Sequence, residues 1–285
     1  YTTGPGVSAT PVNSTADFLL GLLSNSEGQI GKPVANFRDN YYSFYIQDDW
    51  RITSKLTLNI GLRYEDETPW TDKFDNIVNI DFRWDNSQAP VYVRAGKGDP
   101  YGGFPAFRLP PQIPYVRDGR FGRGAFQNDI NDFAPRLGLA YSLNNKTVIR
   151  TGAGIFYVRD IGNATFDVVR NGPFSTRLSE PANLTVPNLT WEKPFTTTAT
   201  PSFILANQFN EPTSYVGQWS FGVQRQLSTN TSLEVTYLGS TGVHLRRLTT
   251  YNAAPPGPGS TSARRAFPSL GGTVQNMNAP SHSTY

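Results

Sequence analysis

The sequence contains no cysteine, which excludes disulfide bonds, thiolate nucleophiles and thiolate metal ligands together. It has two histidines, His244 and His282, and no H-x-x-x-H spacing that would set histidines around a metal ion. Charged residues make up 16% of the 285 residues, whereas a soluble domain carries about 25%. The chain is therefore poorly equipped to present the charged surface of an ordinary soluble domain.

Long apolar runs are also missing. The best candidate, FLLGLL at 18–23, falls well short of the roughly 20 apolar residues that a membrane-spanning helix needs. A membrane-spanning strand escapes this test, because only every second residue has to be apolar. The 25 basic residues are scattered among 22 acidic ones, so no basic patch is predicted and nucleic acid is not an expected partner.

The residues that are abundant belong to turns and strands. The chain has 26 Gly, 22 Pro and 14 Tyr, together with many Asn, Ser and Thr. It begins at Tyr1 without a visible signal peptide, and its last residues, SHSTY, resemble the opening of a strand. We therefore expect it to be a portion of a longer protein.

Strict alternation of apolar and polar residues predicts a first hairpin. In 41–50, the even positions from Tyr42 to Trp50 are apolar except Asp48, and the odd positions are mostly polar. In 56–65, Leu and Ile alternate with Thr, Asn, Gly, Arg and Glu. A period of two is the signature of a strand, and the short segment 51–55 joins the two runs. The two adjacent carboxylates, Asp48 and Asp49, point to opposite faces and do not predict a catalytic pair.

The same pattern predicts two further hairpins. Segments 132–141 and 147–157 alternate on either side of a turn at 143–146, and segments 218–227 and 232–239 alternate on either side of a turn at 228–231. Between the hairpins the connections are long, at 66–131, 158–213 and roughly 250–282. Such loops are unusual in compact soluble domains. Short turns on one edge and long loops on the other predict an all-β, antiparallel transmembrane β-barrel portion, an open curved sheet of about 8–10 strands with long extracellular loops.

This interpretation assigns the two faces of the sheet to different media. The apolar face meets lipid, and the polar face looks into a wet lumen, either as a solvated wall of mutually paired side chains or as the lining of a substrate path. The lumen-facing candidates are Gln47, Asp49, Asn59, Arg63, Glu65, Arg136, Arg150, Gln224 and Glu234. Aromatic rings favour membrane–water interfaces, and the predicted interfacial girdle consists of Tyr42, Trp50, Tyr64, Phe133, Tyr141, Tyr157, Trp219 and Tyr237.

Weaker patterns give local expectations. Segment 14–24 predicts a short helix capped by Ser14 or Thr15, and 27–38 suggests a further strand. Segments 76–84 and 90–95 suggest a hairpin inside the first long loop, and PPGPGS at 255–260 a structureless tip. GRFGRG at 119–124 precedes no helix, so a phosphate cradle is not predicted. No catalytic arrangement and no cofactor site can be placed, and we expect no enzyme.

Three blocks resemble one family. They are YYSFYIQDDWRITSKLTLNIGLRYEDETPW at 41–70, NDFAPRLGLAYSLNNKTVIRTGAGIFY at 131–157 and QWSFGVQRQLSTNTSLEVTYLGSTGVHL at 218–245. They are similar to the barrel of TonB-dependent outer-membrane receptors, most of all to the Oar-like group with an N-terminal carboxypeptidase-regulatory-like domain. ADFLLG at 16–21 resembles a segment just before this part of the barrel.

The resemblance implies a bacterial outer-membrane location and a barrel of about 22 strands with a plugged lumen. It implies that residues 1–285 are part of the barrel domain, with no plug, Ton box or regulatory-like domain among them. The implied function is TonB-energised uptake of an unidentified substrate. The implied partners are outer-membrane lipid, the plug of the parent chain and the TonB complex. Two alternatives stay open: a non-transporting outer-membrane barrel for adhesion or secretion, and a secreted β-rich binding module.

Overall fold

The computed structural model describes most of the chain. The described residues are 11–31, 34–82, 87–102, 114–124, 126–160, 162, 165–171, 175–183, 188–195, 200–201, 204–270, 273–278 and 283–284. Within these ranges, no helix has the length and apolar composition needed to cross a bilayer.

The regular elements are almost all strands. In chain order they are α1 (Pro11–Leu19), β1 (Asn25–Gly31), β2 (Phe37–Arg38), β3 (Tyr41–Arg51), β4 (Leu56–Glu67), β5 (Thr71–Asp72), β6 (Val78–Asp81), β7 (Val91–Arg94), β8 (Tyr115–Val116), β9 (Asp132–Asn144), β10 (Thr147–Tyr157), β11 (Ser175–Pro181), β12 (Thr200–Pro201), β13 (Ile204–Asn207), β14 (Tyr215–Ser228), β15 (Thr231–Val243), β16 (Arg246–Tyr251), β17 (Thr273–Asn278) and β18 (Ser283–Thr284). Three 3₁₀ turns cover Phe166–Arg170, Ser262–Arg264 and Pro268–Leu270.

One sheet contains all three predicted hairpins, and we call it the wall sheet. Its strand order is β18-β15-β14-β10-β9-β4-β3, and every neighbouring pair is antiparallel. Strands adjacent in sequence are adjacent in space, so the three long loops leave the sheet at the same edge. The predicted hairpins and the division into short turns and long loops are confirmed.

The strand lengths and the strand number differ from the expectations. The turns are tighter than predicted, because β9 continues to Asn144 and β14 to Ser228, with register shifts next to both turns. The wall sheet of the described residues has seven strands rather than about eight to ten. The segment 27–38, expected as a further strand, instead forms parts of β1 and β2, which pair with β11 and β5 outside the wall sheet.

Most apolar side chains of the wall sheet lie on one face, as the alternation predicts. We call it the apolar face; one of its cross-strand rows is Trp50, Leu58, Leu139, Thr151, Phe221 and Tyr237. Ile46 is 73% exposed, Leu137 56% and Val235 66%. No other part of the described chain covers these side chains. This arrangement is unfavourable in water and favourable in contact with acyl chains.

The buried core lies in the long loops. Of the buried hydrophobic residues in the described ranges, all but Ala134 lie outside the wall strands. One cluster joins Val78 and Ile80 to Ile204, Ala206 and Tyr251, and a second cluster forms around Val168 and Leu205. We call this packed body, built from β6–β8, β13, β16, β17 and the 3₁₀ turn Phe166–Arg170, the loop layer.

Three local expectations are resolved in the loops. The hairpin suggested at 76–84 and 90–95 is confirmed as the antiparallel pair of β6 and β7. The helix near 14–24 exists but begins at Pro11, so the predicted cap at Ser14 or Thr15 is wrong; proline suits the first helical turn because its missing N–H needs no partner there. The tip at 255–260 has no strand or helix, yet it is ordered: Arg264 donates hydrogen bonds to the carbonyls of Pro255 and Pro258.

Asparagine side chains join the loops where backbone pairing does not. The buried Asn171 donates from Nδ2 to the carbonyls of Val78 (2.7 Å) and Leu205 (2.6 Å), and its Oδ1 accepts from the Leu205 amide (3.2 Å). Asn79 makes the equivalent pair of bonds to the backbone of Asn207, both at 2.9 Å. The first and second long loops are thereby fixed side by side through β6 and β13.

The role of Asn171 can be tested by Asn171→Ala. The change leaves buried backbone groups without partners, which costs about 1–3 kcal/mol for each unsatisfied group. We expect faster amide hydrogen exchange in 78–81 and 204–207, with the local opening free energy lower by about 2–4 kcal/mol. The exposed Asn210→Ala in the same loop is the control. Equal exchange in the two variants would contradict the assignment.

The assignment of the two faces can be tested at neighbouring positions of β4. Ile60 lies on the apolar face and Asn59 on the opposite one. Ile60→Arg is expected to destabilise the membrane-inserted protein by about 2–4 kcal/mol, the cost of a cation at mid-depth on a lipid face. Asn59→Arg is expected to be much milder. Denaturant titration in lipid vesicles measures both changes, and a larger loss for Asn59→Arg would reverse the two faces.

Candidate functional site

The polar face of the wall sheet carries every predicted lumen-facing residue. The register places Gln47, Gly61, Arg136, Gly154, Gln218 and Ser240 in one cross-strand row of this face. Neighbouring rows of the same face hold the other candidates, which are Asp49, Asn59, Arg63, Glu65, Arg150, Gln224 and Glu234. That this face encloses a lumen stays a prediction.

Some of these residues satisfy one another. Asn59 donates to Asp49 at 2.5 Å, and Arg63 forms an ion pair with Glu65 and donates to the Tyr41 hydroxyl at 3.1 Å. Gln224 lies opposite Glu234 in the register, and Glu234 accepts from the Thr236 hydroxyl at 3.3 Å. This part of the face is a wall of mutually paired polar side chains.

Two arginines differ from that pattern. Within the described ranges, neither Arg136 nor Arg150 makes an ion pair. The guanidinium of Arg136 instead lies over the ring of Phe156, 4.8 Å from its centroid. The two side chains meet above Gly154: a Cβ there would lie 3.2 Å from the Phe156 ring and 3.3 Å from Arg136 Cγ. Glycine at 154 therefore permits this contact.

Arg136 stands between two hollows of the polar face. The larger, of about 570 Å³, lies over Gly152 and Gly154; the smaller, of about 210 Å³, lies over Gly61. The larger hollow is bordered by residues that the sequence analysis did not select, namely Phe156, Gln218, Ser220, Leu238 and Ser240. Phe156 and Leu238 are apolar residues at polar-face positions, and that break in the alternation was the available signal.

The predicted aromatic girdle lies wholly on the apolar face. Tyr42, Tyr64, Phe133 and Tyr157 lie at the long-loop ends of their strands, and the Tyr64 and Phe133 rings are 5.0 Å apart. Trp50 and Tyr141 lie towards the short turns. Trp219 and Tyr237 lie further inside their strands, and the Trp219 indole covers Gly239 of the next strand. Contact of this girdle with membrane interfaces stays a prediction.

An ionic junction joins the loop layer to the rim of the wall sheet. Arg246 contacts Asp160 at 2.9 Å and the buried Glu211 at 2.5 Å, and its guanidinium lies 5.6 Å from the Phe126 ring centroid. Burial raises the pKa of Glu211 to about 7, while Arg246 opposes that rise. Because the folded pKa exceeds the ordinary one, protonation of Glu211 favours the folded junction, and that contribution is lost as pH rises through about 7.

The described part of the loops shows paired arginines at GRFGRG and no metal-binding group. The arginines of GRFGRG are paired: Arg120 with Asp81 and Asp118, and Arg123 with Asp75. In the same ranges, no group of three His, Asp or Glu side chains could hold a metal ion. His244 follows the end of β15, with φ 54°, and His282 lies outside the described residues.

The junction can be tested by Arg246→Met. Removing the cation leaves Glu211 and Asp160 facing each other in a buried place, and breaking a buried pair in this way costs about 3–5 kcal/mol. We expect faster hydrogen exchange in 158–160 and 209–214 while the wall strands stay protected. The control is Arg159→Met, because the Arg159 side chain is 61% exposed and its ion pairs with Asp39 and Glu67 are longer, at 3.4 and 3.3 Å, so this change should matter little. Similar exchange in both variants would refute the role of Arg246.

Comparison with known proteins identifies the family of this chain. No curated protein matches the sequence. Among solved structures, the siderophore receptor PirA from Pseudomonas aeruginosa is 10% identical with a TM-score of 0.40, over 86% of this chain and 29% of that one. The chain thus spans 29% of the length of that receptor. The profile of the family described as outer membrane beta barrel domain matches residues 1–285. The chain therefore belongs to this family of outer-membrane β-barrels, and its location is the bacterial outer membrane.

Proposed function

We propose that this chain forms part of the barrel of a TonB-energised receptor that takes up a small substrate across the outer membrane. The three resembling blocks support this assignment and, more narrowly, the Oar-like group. Each block folds as one hairpin of the wall sheet, in the order that the resemblance requires. We assign the chain no catalytic step.

In this proposal the substrate docks on the loop layer and the outer lumen. The TonB complex of the inner membrane then pulls on a plug through its Ton box, and the substrate passes along the wall. This chain supplies the wall and part of the docking surface. Its partners would be outer-membrane lipid, the plug of the parent chain and, through that plug, the TonB complex.

The observation that carries the proposal is the character of the polar face. A wall with a purely structural role would pair its charges, as Arg63 and Glu65 do. Arg136 instead stands without a carboxylate partner in the described ranges, beside a hollow of about 570 Å³. That volume lies within the roughly 300–1,000 Å³ of small-molecule sites. The polar face is therefore suited to contacting a passing substrate.

Of the alternatives, a secreted β-rich binding module fits the structure poorly. Such a module would have to leave Ile46, Leu137 and Val235 exposed to water on a continuous apolar face. A non-transporting barrel for adhesion or secretion shares the wall sheet and the loop layer, so it has to be separated by measurement.

The test is uptake by the full receptor in outer membranes of paired host strains, one with and one without the TonB protein. Both strains receive a panel of labelled ferric chelates, vitamins, oligosaccharides and peptides. We expect receptor-dependent accumulation of at least one compound, at least tenfold greater in the TonB-containing strain and abolished by a protonophore. Surface binding at 4 °C is measured in parallel, because docking precedes the energised step.

Two results would refute the proposal. Accumulation that is equal with and without TonB would indicate a passive pore. Attachment to surfaces or export of a protein, in the absence of any TonB-dependent accumulation, would favour the adhesion or secretion barrel. Asn171→Ala separates docking from transport, since it loosens the loop layer and leaves the wall sheet intact.

A further inference from the structure

The larger hollow of the polar face has the composition of a ligand site. Its floor is glycine, at Gly152 and Gly154, and the other polar-face residues around it are one cation, two apolar residues and three hydrogen-bonding residues. Residues of the alternate positions, Leu137, Ala153, Trp219 and Gly239, also line it. The cation is Arg136, and the apolar side chains are Phe156 and Leu238. Leu238 is 71% exposed on a face that is otherwise mostly polar. Small-molecule sites are typically mostly apolar with a few placed polar groups.

The guanidinium of Arg136 is held in one orientation and has no carboxylate partner in the described ranges. The Arg136 guanidinium stacks on the Phe156 ring, 4.8 Å from the ring centroid. Such stacking fixes the plane of the guanidinium and leaves the N–H groups on its edge available to a ligand. Two carboxylates on neighbouring strands of the same face are already engaged, because Asp49 accepts from Asn59 and Glu65 pairs with Arg63. A fixed guanidinium edge matches the two oxygens of a carboxylate.

From this geometry we infer that the hollow beside Arg136 binds an organic anion that carries one carboxylate next to an apolar or aromatic group. The carboxylate pairs with Arg136, the apolar group lies against Leu238 and the Phe156 ring, and Gln218, Ser220 and Ser240 offer hydrogen bonds. The inference rests on the proposed function, because it assigns the substrate class of the same wall.

The charge count favours this class over compact polyanions. Of the described arginines, Arg136 is the one that borders the hollow, and one guanidinium balances one negative charge. Arg63 in the neighbouring row is neutralised by Glu65, and Arg150, which also makes no ion pair in the described ranges, does not border the hollow. Leu238 and Phe156 would give no favourable contact to a sulfate or phosphate ion, whereas burying them against an apolar group is favourable by about 25 cal/mol per Å².

The experiment measures binding of two matched probes to the purified protein in dodecyl maltoside, which is uncharged. The probes are N-acetylphenylalanine, with a free carboxylate, and N-acetylphenylalaninamide, without one. Calorimetry and saturation-transfer NMR report affinity and the contacted probe protons. We expect saturable binding of the carboxylate probe and at least tenfold weaker binding of the amide.

Three variants locate the site. Arg136→Gln should weaken the carboxylate probe at least tenfold, to the level of the amide. Gly152→Leu fills the hollow from its floor, where a Cβ meets only ordinary contacts, the nearest being 3.4 Å away, and it should also abolish binding. Arg225→Gln, on the same strand as Gln218 but near the short turn, removes a cation outside the hollow and should leave binding unchanged. Heat-modified gel mobility shows whether each variant is folded.

The possible outcomes separate this inference from the proposed function. Absence of binding, equal affinity for both probes, or loss of binding in Arg225→Gln alone would overturn the anion site. If Arg136→Gln exposed a plug to protease while probe binding stayed unchanged, Arg136 would be a plug contact and the inference would fall. Arg136-dependent binding without TonB-dependent uptake would keep the wall site and refute the transport proposal. TonB-dependent uptake with no binding at Arg136 would refute the wall site and keep the transport proposal.

Discussion

The structure depends on one constraint: no described part of the chain covers the apolar face of the wall sheet. In water, a sheet must bury one face against another layer, yet side chains such as Ile46 and Val235 stay mostly exposed. Lipid supplies the missing layer, and each wall strand pairs its backbone with its neighbours because hydrocarbon offers no hydrogen bonds. The protein core is consequently found elsewhere, in the loop layer, where water is present and apolar residues gain by packing together.

Sequence reasoning succeeded where structure follows a local period. Alternation fixed which residues share a face of β3, β4, β9, β10, β14 and β15, and the register confirms it. The loop layer has no such period. Its core joins Val78 to Ile204, and its hydrogen bonds join Asn79 to Asn207 across 128 residues. These contacts depend on long-range docking of short strands, and no local pattern in a single sequence identifies the partners. The segment 27–38 was misplaced for the same reason.

The candidate site was also only partly predictable. Alternation placed Arg136 and Arg150 on the polar face, but it did not select Phe156 as a site residue. The hollow arises where side chains are absent, at Gly152 and Gly154, which the register sets beside Arg136 and Gln218. The hollow spans four neighbouring strands, so it is visible only when their relative alignment is known.

The ionic junction connects these two parts of the molecule. In the proposed function, a docking surface has to keep a fixed position relative to the wall sheet. Free loops of this length would lose a large conformational entropy when they become ordered around a ligand. Asn171 and Asn79 make the loops one body, and Arg246 ties that body to segments that lead directly into β10 and β14 through Asp160 and Glu211. Much of the ordering cost is therefore met during folding, before any ligand arrives. The loop layer is in this sense ordered before any ligand arrives, which suits the docking role that we propose for it.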